Sequence, residues 1–381
     1  MKNQKPETIA AQALGWVDDA TKEIVSPIHV SSTYIRDADN QYRNGRVYAR
    51  DHNPTFDQPE AVLNALEGGH QTLLFASGMA AATAVFLALN PGDHVVAPKI
   101  MYWSLRNWLS TFARRWGLQV TFIDATDLDQ LRAAIVPGKT KLVWVETPAN
   151  PLWHITDIAA TCDIAHAAGA LVAVDSTIAT PVLCRPIEHG ADIVMHAATK
   201  YLNGHSDVVA GTLTAARDSE TWQRIRGIRG QIGGIAGPFE AWLLMRGMRT
   251  LFPRVRAACA GAQKIAEHFA QHAGVAEVMY PGLPGFSGFE VAAKQMQGGF
   301  GGMLSMRFRG GEAAAIAVAA HTTIWKRATS LGGVESLVEH RASAEGEGTP
   351  APVDMLRLSV GIEDAQDLID DLEQAIAMSL S

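Results

Sequence analysis

The chain has 381 residues with 32 Lys+Arg against 39 Asp+Glu, a formal net charge of −7 and an isoelectric point near 6.0, so nothing supplies the basic surface that a nucleic-acid binder needs. At 48% hydrophobic and 19% charged residues there is ample material for sizeable cores and disorder is excluded as the main state. No apolar run approaches the ~20 residues that cross a bilayer, and the segment from Met1 to Trp16 lacks the uninterrupted apolar stretch of a secretory signal, which together predict a cytoplasmic protein with no membrane partner.

The first ~45 residues are polar and weakly periodic, ending in Asp37-Ala38-Asp39-Asn40-Gln41-Tyr42-Arg43-Asn44-Gly45. They read as an arm, residues 1–47, that packs on something else. Helical spacing of Ala61, Val62, Ala65 and Leu66 predicts a helix over Gln58–Leu66, and the Ala-rich run from Met79 to Leu89 predicts another, starting just after Ser77-Gly78. Strands and helices then alternate. His94–Ala97, Gln119–Ile123, Lys141–Glu146, Leu171–Asp175 and Ile193–His196 read as strands; Leu105–Trp116, Leu128–Ile135 and Ile155–Ala168 read as helices. Continuous apolar strands separated by helices imply an α/β fold whose mostly parallel sheet is covered on both faces, with ligands bound beyond the carboxyl ends of its strands. After about residue 214 a long arginine-bearing helical stretch runs from Thr221 through the glycine-rich Gly227–Gly237 break and on from Phe239 to His272. Strands over Gly301–Phe308 and Met355–Val360 and a closing helix over Ala365–Ser379 complete a smaller α/β domain. The predicted divisions are therefore 1–47, 48–247 and 248–381. Cys162, Cys184 and Cys259 are far apart and lack metal-ligand spacing, so they read as small buried hydrophobes and no metal site is expected.

Between Leu142 and Gln263 there is one lysine, Lys200, delivered by the buried strand Ile193–His196 into a turn of small and polar residues. Partial desolvation there would lower its pKa and free its amine to attack a carbonyl; a solvated lysine at a strand end is the alternative. Asp175 ends a second buried strand and arrives at the same sheet edge, where a carboxylate needs a cationic partner. Pyridoxal 5'-phosphate supplies both halves, because its aldehyde forms a Schiff base with a lysine and its protonated pyridine nitrogen pairs with an aspartate. A structural ion pair between Asp175 and Lys200 is the competing reading. A phosphate cradle is offered by Phe75-Ala76-Ser77-Gly78-Met79-Ala80-Ala81, whose backbone N–H groups begin a helix, with hydroxyls from Ser77 and Thr199. The Gly227–Gly237 segment does not fit a dinucleotide fingerprint, since no buried strand precedes it.

The runs Tyr48-Ala49-Arg50-Asp51-His52-Asn53-Pro54-Thr55, Leu66-Glu67-Gly68-Gly69, Ser77-Gly78-Met79-Ala80, Glu146-Thr147-Pro148-Ala149-Asn150-Pro151, Asp175-Ser176-Thr177, Ala198-Thr199-Lys200-Tyr201-Leu202-Asn203-Gly204-His205-Ser206-Asp207, Ser330-Leu331-Gly332-Gly333 and Arg357-Leu358-Ser359-Val360-Gly361 resemble, in order and over nearly the whole chain, the Cys/Met-metabolism family of pyridoxal-phosphate enzymes. That family includes cystathionine γ-synthase, cystathionine β- and γ-lyases, methionine γ-lyase and O-acylhomoserine sulfhydrylases. The resemblance implies an aspartate-aminotransferase-like, fold type I architecture. It also implies a carbon–sulfur lyase acting by α,β- or α,γ-elimination, or alternatively a γ-replacement enzyme. Lys200 would hold the cofactor and shuttle protons; Asp175 would pair with the pyridine nitrogen; Tyr102 would stack on the ring and assist proton transfer; Ser77, Gly78, Met79 and Thr199 would hold the phosphate. Tyr48 and Arg50 would reach the phosphate of a neighbouring subunit's cofactor, making the site a property of a dimer within a homotetramer. Arg357, helped by Asn150 and Ser330, would clamp the substrate carboxylate. Tyr102 also reads as a core aromatic, and Arg357 as an edge-strand surface residue. The chain departs from the family's pattern at Ala197, where many members carry serine; at Ser176 and Ile178, where Asn and Phe are common; and at Thr329, where enzymes acting at the γ-carbon of cystathionine often carry glutamate.

Overall fold

A computed structural model describes residues 4–380. Seven strands form the larger sheet: β1 (Gln71–Phe75), β2 (His94–Pro98), β3 (Gln119–Ile123), β4 (Thr140–Glu146), β5 (Leu171–Asp175), β6 (Ile193–His196) and β7 (Gly211–Ala215). Their order is β1-β7-β6-β5-β4-β2-β3. Only β7 runs against the others, pairing antiparallel with both β1 and β6, while β6, β5, β4, β2 and β3 pair in parallel.

The predicted two-sided cover follows from the pleat, which sends successive side chains to opposite faces. Val143, Val145, Val172 and Val174 enter one apolar cluster; Leu142, Trp144 and Ala173 enter the cluster on the other face. Both β1 and β7 escape the sequence reading. Thr212 and Thr214 make β7 look polar, yet both are buried, and Thr214 Oγ1 shares a 2.7 Å hydrogen bond with Thr72 Oγ1 across the pair.

The smaller sheet has the order β10-β11-β12-β9-β8, from β8 (Val275–Met279), β9 (Met303–Phe308), β10 (Lys326–Arg327), β11 (Leu337–His340) and β12 (Met355–Ser359). Apart from the parallel β10–β11 pair it is antiparallel. Its core gathers Leu304, Met306, Leu356 and Leu358 with Leu368 and Leu372 of the closing helix. The long helical stretch is three helices, Glu220–Ile232, Pro238–Met248 and Leu251–Phe269. Gly233, at φ +74°, ends the first of these in the left-handed conformation that an L side chain resists. Leu105–Trp116 is interrupted by a π-helical turn at Leu109–Ala113, and the helix expected from Ile155 begins at Ile158, where Asp157 accepts the N–H of Ala160 at 2.9 Å as its cap. Among the described residues no helix is long and apolar enough to cross a membrane. The three cysteines are free and buried, and burial pushes the thiols of Cys162 and Cys184 up to about 12, so they stay protonated.

Candidate active site

The parallel strands β4, β5 and β6 end on Glu146, Asp175 and His196, and beyond those ends lies a cavity of about 300 Å³. Ten of the twelve sequence-selected residues line it: Ser77, Gly78, Met79, Tyr102, Asn150, Asp175, Thr199, Lys200, Ser330 and Arg357. The other two do not. Tyr48 and Arg50 sit at the short helix Ala49–His52 on the exposed surface, where the Arg50 guanidinium lies 5.4 Å from the Tyr48 ring centroid.

Lys200 follows β6 by four residues. Its Nζ donates to Ser330 Oγ at 2.9 Å, and burial, with the nearby Arg357 charge, pushes the amine down to about 8. Asp175 is 8% exposed. Its Oδ1 accepts the N–H of Thr177 at 3.0 Å and the Thr177 hydroxyl, while burial pushes the carboxyl above the ordinary range. No cationic side chain pairs with it among the described residues, which removes the Asp175–Lys200 ion pair as an explanation of either group.

Ser77 caps the helix Gly78–Leu87, its Oγ accepting the N–H of Ala80 at 3.0 Å. The N–H groups of Gly78 and Met79 belong to the same first turn and have no acceptor within the helix. A Cβ at Gly78 would lie 2.9 Å from Ala197 Cβ, and one at Gly211 would lie 2.2 Å from the Ser77 carbonyl oxygen. The cradle is thus formed of backbone packed on backbone, and Ala197, in place of a bulkier serine, belongs to that packing. Thr199 Oγ1 donates to the Ala210 carbonyl at 3.1 Å and accepts the Ala210 N–H at 3.0 Å, tying the Lys200 turn to the start of β7.

Arg357 is in the middle of β12, buried, and not at an edge. One terminal nitrogen donates to Asn150 Oδ1 at 3.1 Å and the other to the Ser330 carbonyl at 2.8 Å and to Glu339. Burial pushes the guanidinium down to about 10, which leaves it charged at neutral pH. Ser330 has φ +96°, a strained backbone for a non-glycine residue; in that conformation its carbonyl meets Arg357 while its hydroxyl meets Lys200. Tyr102 stands at the mouth, 43% exposed, and not in a core.

Four further side chains belong to the site and were not selected from sequence. Thr177 orients Asp175 and also accepts the N–H of Ala197 at 2.8 Å. Glu339 lies opposite Arg357 in the β11–β12 register and takes Arg341 as a second partner at 2.9 Å; Arg341 lines the cavity. Glu146 lies opposite Asp175 in the β4–β5 register and is pushed up to about 8 by burial and by Asp175. The signal that found Asp175, an acid ending a buried strand, was equally present for Glu146. Glu339 and Arg341 carry no such signal.

These observations test the fit of pyridoxal phosphate. An unpaired buried carboxylate suits a protonated pyridine nitrogen, a buried amine whose pKa is lowered to about 8 suits an aldehyde, and a helix start with no room for a Cβ suits a phosphate. The residues fit the group.

Comparison with known proteins agrees. A model of the family described as "Cys/Met metabolism PLP-dependent enzyme" matches residues 7–377. The cystathionine gamma-synthase of Mycobacterium tuberculosis is 45% identical over 377 residues, covering 97% of this chain and 96% of that one. The L-methionine gamma-lyase of Porphyromonas gingivalis is 38% identical, covering 95% of this chain and 94% of the relative. The crystal structure of cystathionine gamma synthase from Xanthomonas oryzae pv. oryzae in complex with cystathionine superposes with a TM-score of 0.95 at 37% identity, over 100% of this chain and 99% of that one. The fold is that of the type I pyridoxal-phosphate enzymes, as the sequence motifs implied.

Proposed function

The chain belongs to the Cys/Met metabolism PLP-dependent enzyme family, and from that premise we propose that it is a carbon–sulfur lyase that cleaves a sulfur-containing amino acid by α,β- or α,γ-elimination. The observation that carries this reading is the single cavity on which Lys200, Asp175 and Arg357 converge above the Ser77-Gly78-Met79 helix start. Pyridoxal phosphate, when bound there, supplies the electron sink for the negative charge that develops at the substrate's α-carbon.

The protein's own residues do the rest. Arg357, steadied by Asn150 and Ser330, receives the α-carboxylate through charge-assisted hydrogen bonds and so fixes which substituent of the α-carbon stands where. Lys200 would hold the cofactor through its amine, and that amine, when free, would be the base for the substrate's α-proton; its lowered pKa suits a base working near neutral pH. In α,β-elimination the pair left at the α-carbon becomes the new carbon–carbon double bond as the carbon–sulfur bond breaks with its pair on sulfur. In α,γ-elimination a β-proton must also be removed to supply that pair, and in both the Lys200 amine is the nearby group to move the proton to the departing thiolate. Asp175, held by Thr177, would keep a proton on the ring nitrogen, and Tyr102 would cover the ring face and assist proton transfer. Ser77, Gly78, Met79 and Thr199 take the phosphate.

Tyr48 and Arg50 complete the phosphate site of a neighbouring subunit in a homotetramer. Exposed apolar side chains of the arm support this, with Val30 81% and Ile35 91% exposed, since such a run is unusual on a free surface. The divisions 1–47, 48–247 and 248–381 remain our partition of the chain, supported by two sheets confined to residues 71–215 and 275–359.

A second reading, γ-replacement on an activated homoserine ester, is favoured by one observation: the relatives at 45% identity are named cystathionine gamma-synthases. The deciding experiment incubates the holoenzyme with cystathionine, methionine or cysteine alone, and with O-acetyl- or O-succinylhomoserine plus cysteine. A keto acid and ammonia from a sulfur amino acid alone are expected for the lyase. Cystathionine formed from the ester without that elimination would replace the lyase by the synthase, and no product in either set would overturn both.

A further inference from the structure

We propose that Glu146 is a positioning residue that sets the spacing between the two working sides of the cavity, the Tyr102 face and the Arg357 clamp. The inference rests on the roles proposed above for Tyr102 and Arg357. Glu146 ends β4, between the strands that carry Asp175 and the wall of the site, and is 5% exposed. Each of its carboxyl oxygens has a separate task. Oε2 accepts the backbone N–H of Tyr102 at 2.7 Å, at the head of the helix Trp103–Trp108, and Oε1 accepts the backbone N–H of Asn150 at 2.9 Å. Neither residue is in regular structure that could anchor it otherwise: Tyr102 precedes a helix, where N–H groups lack internal partners, and Asn150 lies in the irregular turn after β4.

The consequence extends across the cavity. Asn150 Oδ1 accepts from Arg357, Arg357 donates to the Ser330 carbonyl, and the Ser330 hydroxyl accepts from Lys200. One carboxyl group therefore stands at the origin of two arms, a short one to Tyr102 and a longer one through Asn150 to the clamp and the lysine. A side chain on a central strand of the sheet is also the most rigid place from which to hold them.

Glu146→Gln is close to isosteric but replaces one acceptor by an NH₂ group, which must face one of the two N–H donors as a second donor. One arm is then released. In the purified holoenzyme we expect altered circular dichroism of the bound cofactor's visible band, faster hydrogen exchange confined to the segments around Tyr102 and Asn150, and kcat/KM reduced about tenfold or more, most of it in KM when the Asn150 arm is the one lost. Glu146→Asp, which keeps a carboxyl group but cannot reach both donors, gives the same signature and decides the matter if the glutamine variant fails to fold. A lowered melting temperature with dichroism, local exchange and KM at wild-type values would overturn the proposal and leave Glu146 as a stability residue only. Dichroism and exchange are readable without turnover, so an inactive wild-type holoenzyme would defeat the functional reading while leaving these two arms of the test intact.

Discussion

Replacing Lys200 by methionine should make the apoprotein more stable, although it must abolish catalysis. Lys200 titrates near 10.5 in an unfolded chain and near 8 in the fold, where burial and Arg357 disfavour its charge. At about 1.4 kcal/mol per unit this penalises folding by about 3 kcal/mol at pH 7. The hydrogen bond from Nζ to Ser330 Oγ returns about 1 kcal/mol, leaving a net gain of about 2 kcal/mol for Lys200→Met, equivalent to roughly 2 to 3 °C in a chain of this length. The sign with pH is fixed. Between 8 and 10.5 the unfolded state binds the extra proton, so the stability of the wild-type apoprotein climbs with pH through that window, and the full penalty is present below it. The advantage of the variant is therefore largest at pH 7, falls as pH rises from 8, and gives way by pH 10.5 to a deficit of up to about 1 kcal/mol, the lost hydrogen bond. Thermal or urea unfolding of both apoproteins, at one fixed protomer concentration, measures it. A variant less stable than the wild type at pH 7, or a difference flat from pH 7 to 10.5, would refute the idea of a lysine held against its own charge.

Three other outcomes follow from the same geometry. Gly78→Ala forces a Cβ to within 2.9 Å of Ala197 Cβ, so cofactor affinity, measured by fluorescence titration of the apoprotein, should fall about tenfold to a hundredfold as the cradle is pushed apart. Arg357→Lys keeps a charge but loses the planar fork that reaches Asn150 and Ser330 together; KM for any amino-acid substrate should rise at least about tenfold while the cofactor's absorption band stays in place. Mixing Lys200→Ala subunits with Arg50→Ala subunits under exchange conditions should restore about one quarter of wild-type activity, because half the pairs are mixed and each mixed pair has one intact site; persistent inactivity after confirmed subunit exchange would place Arg50 outside the shared site.

Legibility in the sequence tracked burial. Strands β2, β4, β5 and β6 announce themselves as largely apolar runs because both faces are covered, and Leu171–Asp175 and Ile193–His196 were read to the residue. β11 did not, since Glu339 and His340 are buried polar residues with partners supplied from distant segments, Arg357 and the Val353 carbonyl. The cavity was legible where one residue type has few alternative uses, as with a lone lysine after a buried strand or an aspartate ending one. It was illegible where a residue acts through its neighbours. Glu146 ends a buried strand as Asp175 does, but its task of accepting two backbone N–H groups, like that of Thr177 acting through Asp175, leaves no composition or spacing for the sequence to display. Ser330 shows the limit from another side: its position in a motif marked it, but the positive φ that lets it face both Lys200 and Arg357 is a property of the chain's path.

The charges around the substrate clamp bear on which sulfur amino acid it favours. Arg357, Glu339, Arg341 and Glu345 alternate in sign, each bonded to the next, so the two acids nearest the clamp are already committed to arginines. Thr329, beside Ser330 on the cavity wall, is uncharged, and Leu105, Ile178 and Val209 line the same cavity with apolar surface. Of the acids lining the cavity, Asp175 faces the ring nitrogen by the proposal above and Glu146 is taken by two backbone N–H groups. Among the described residues, a substrate held by its α-carboxylate on Arg357 therefore extends its sulfur along a wall with no further carboxylate to receive a distal ammonium. An apolar thioether tail is accommodated there without desolvating a charge, whereas a tail ending in a second amino-acid head group must find its counter-ion elsewhere. The group best placed by the proposed assembly to provide further contacts is the neighbouring subunit, whose Tyr48–Arg50 segment would approach the same mouth. Selectivity between the two kinds of tail then depends on the interface as much as on the cavity, so a change at Thr329 to glutamate should shift preference towards the charged tail without altering cofactor binding, read as the ratio of kcat/KM for cystathionine over methionine.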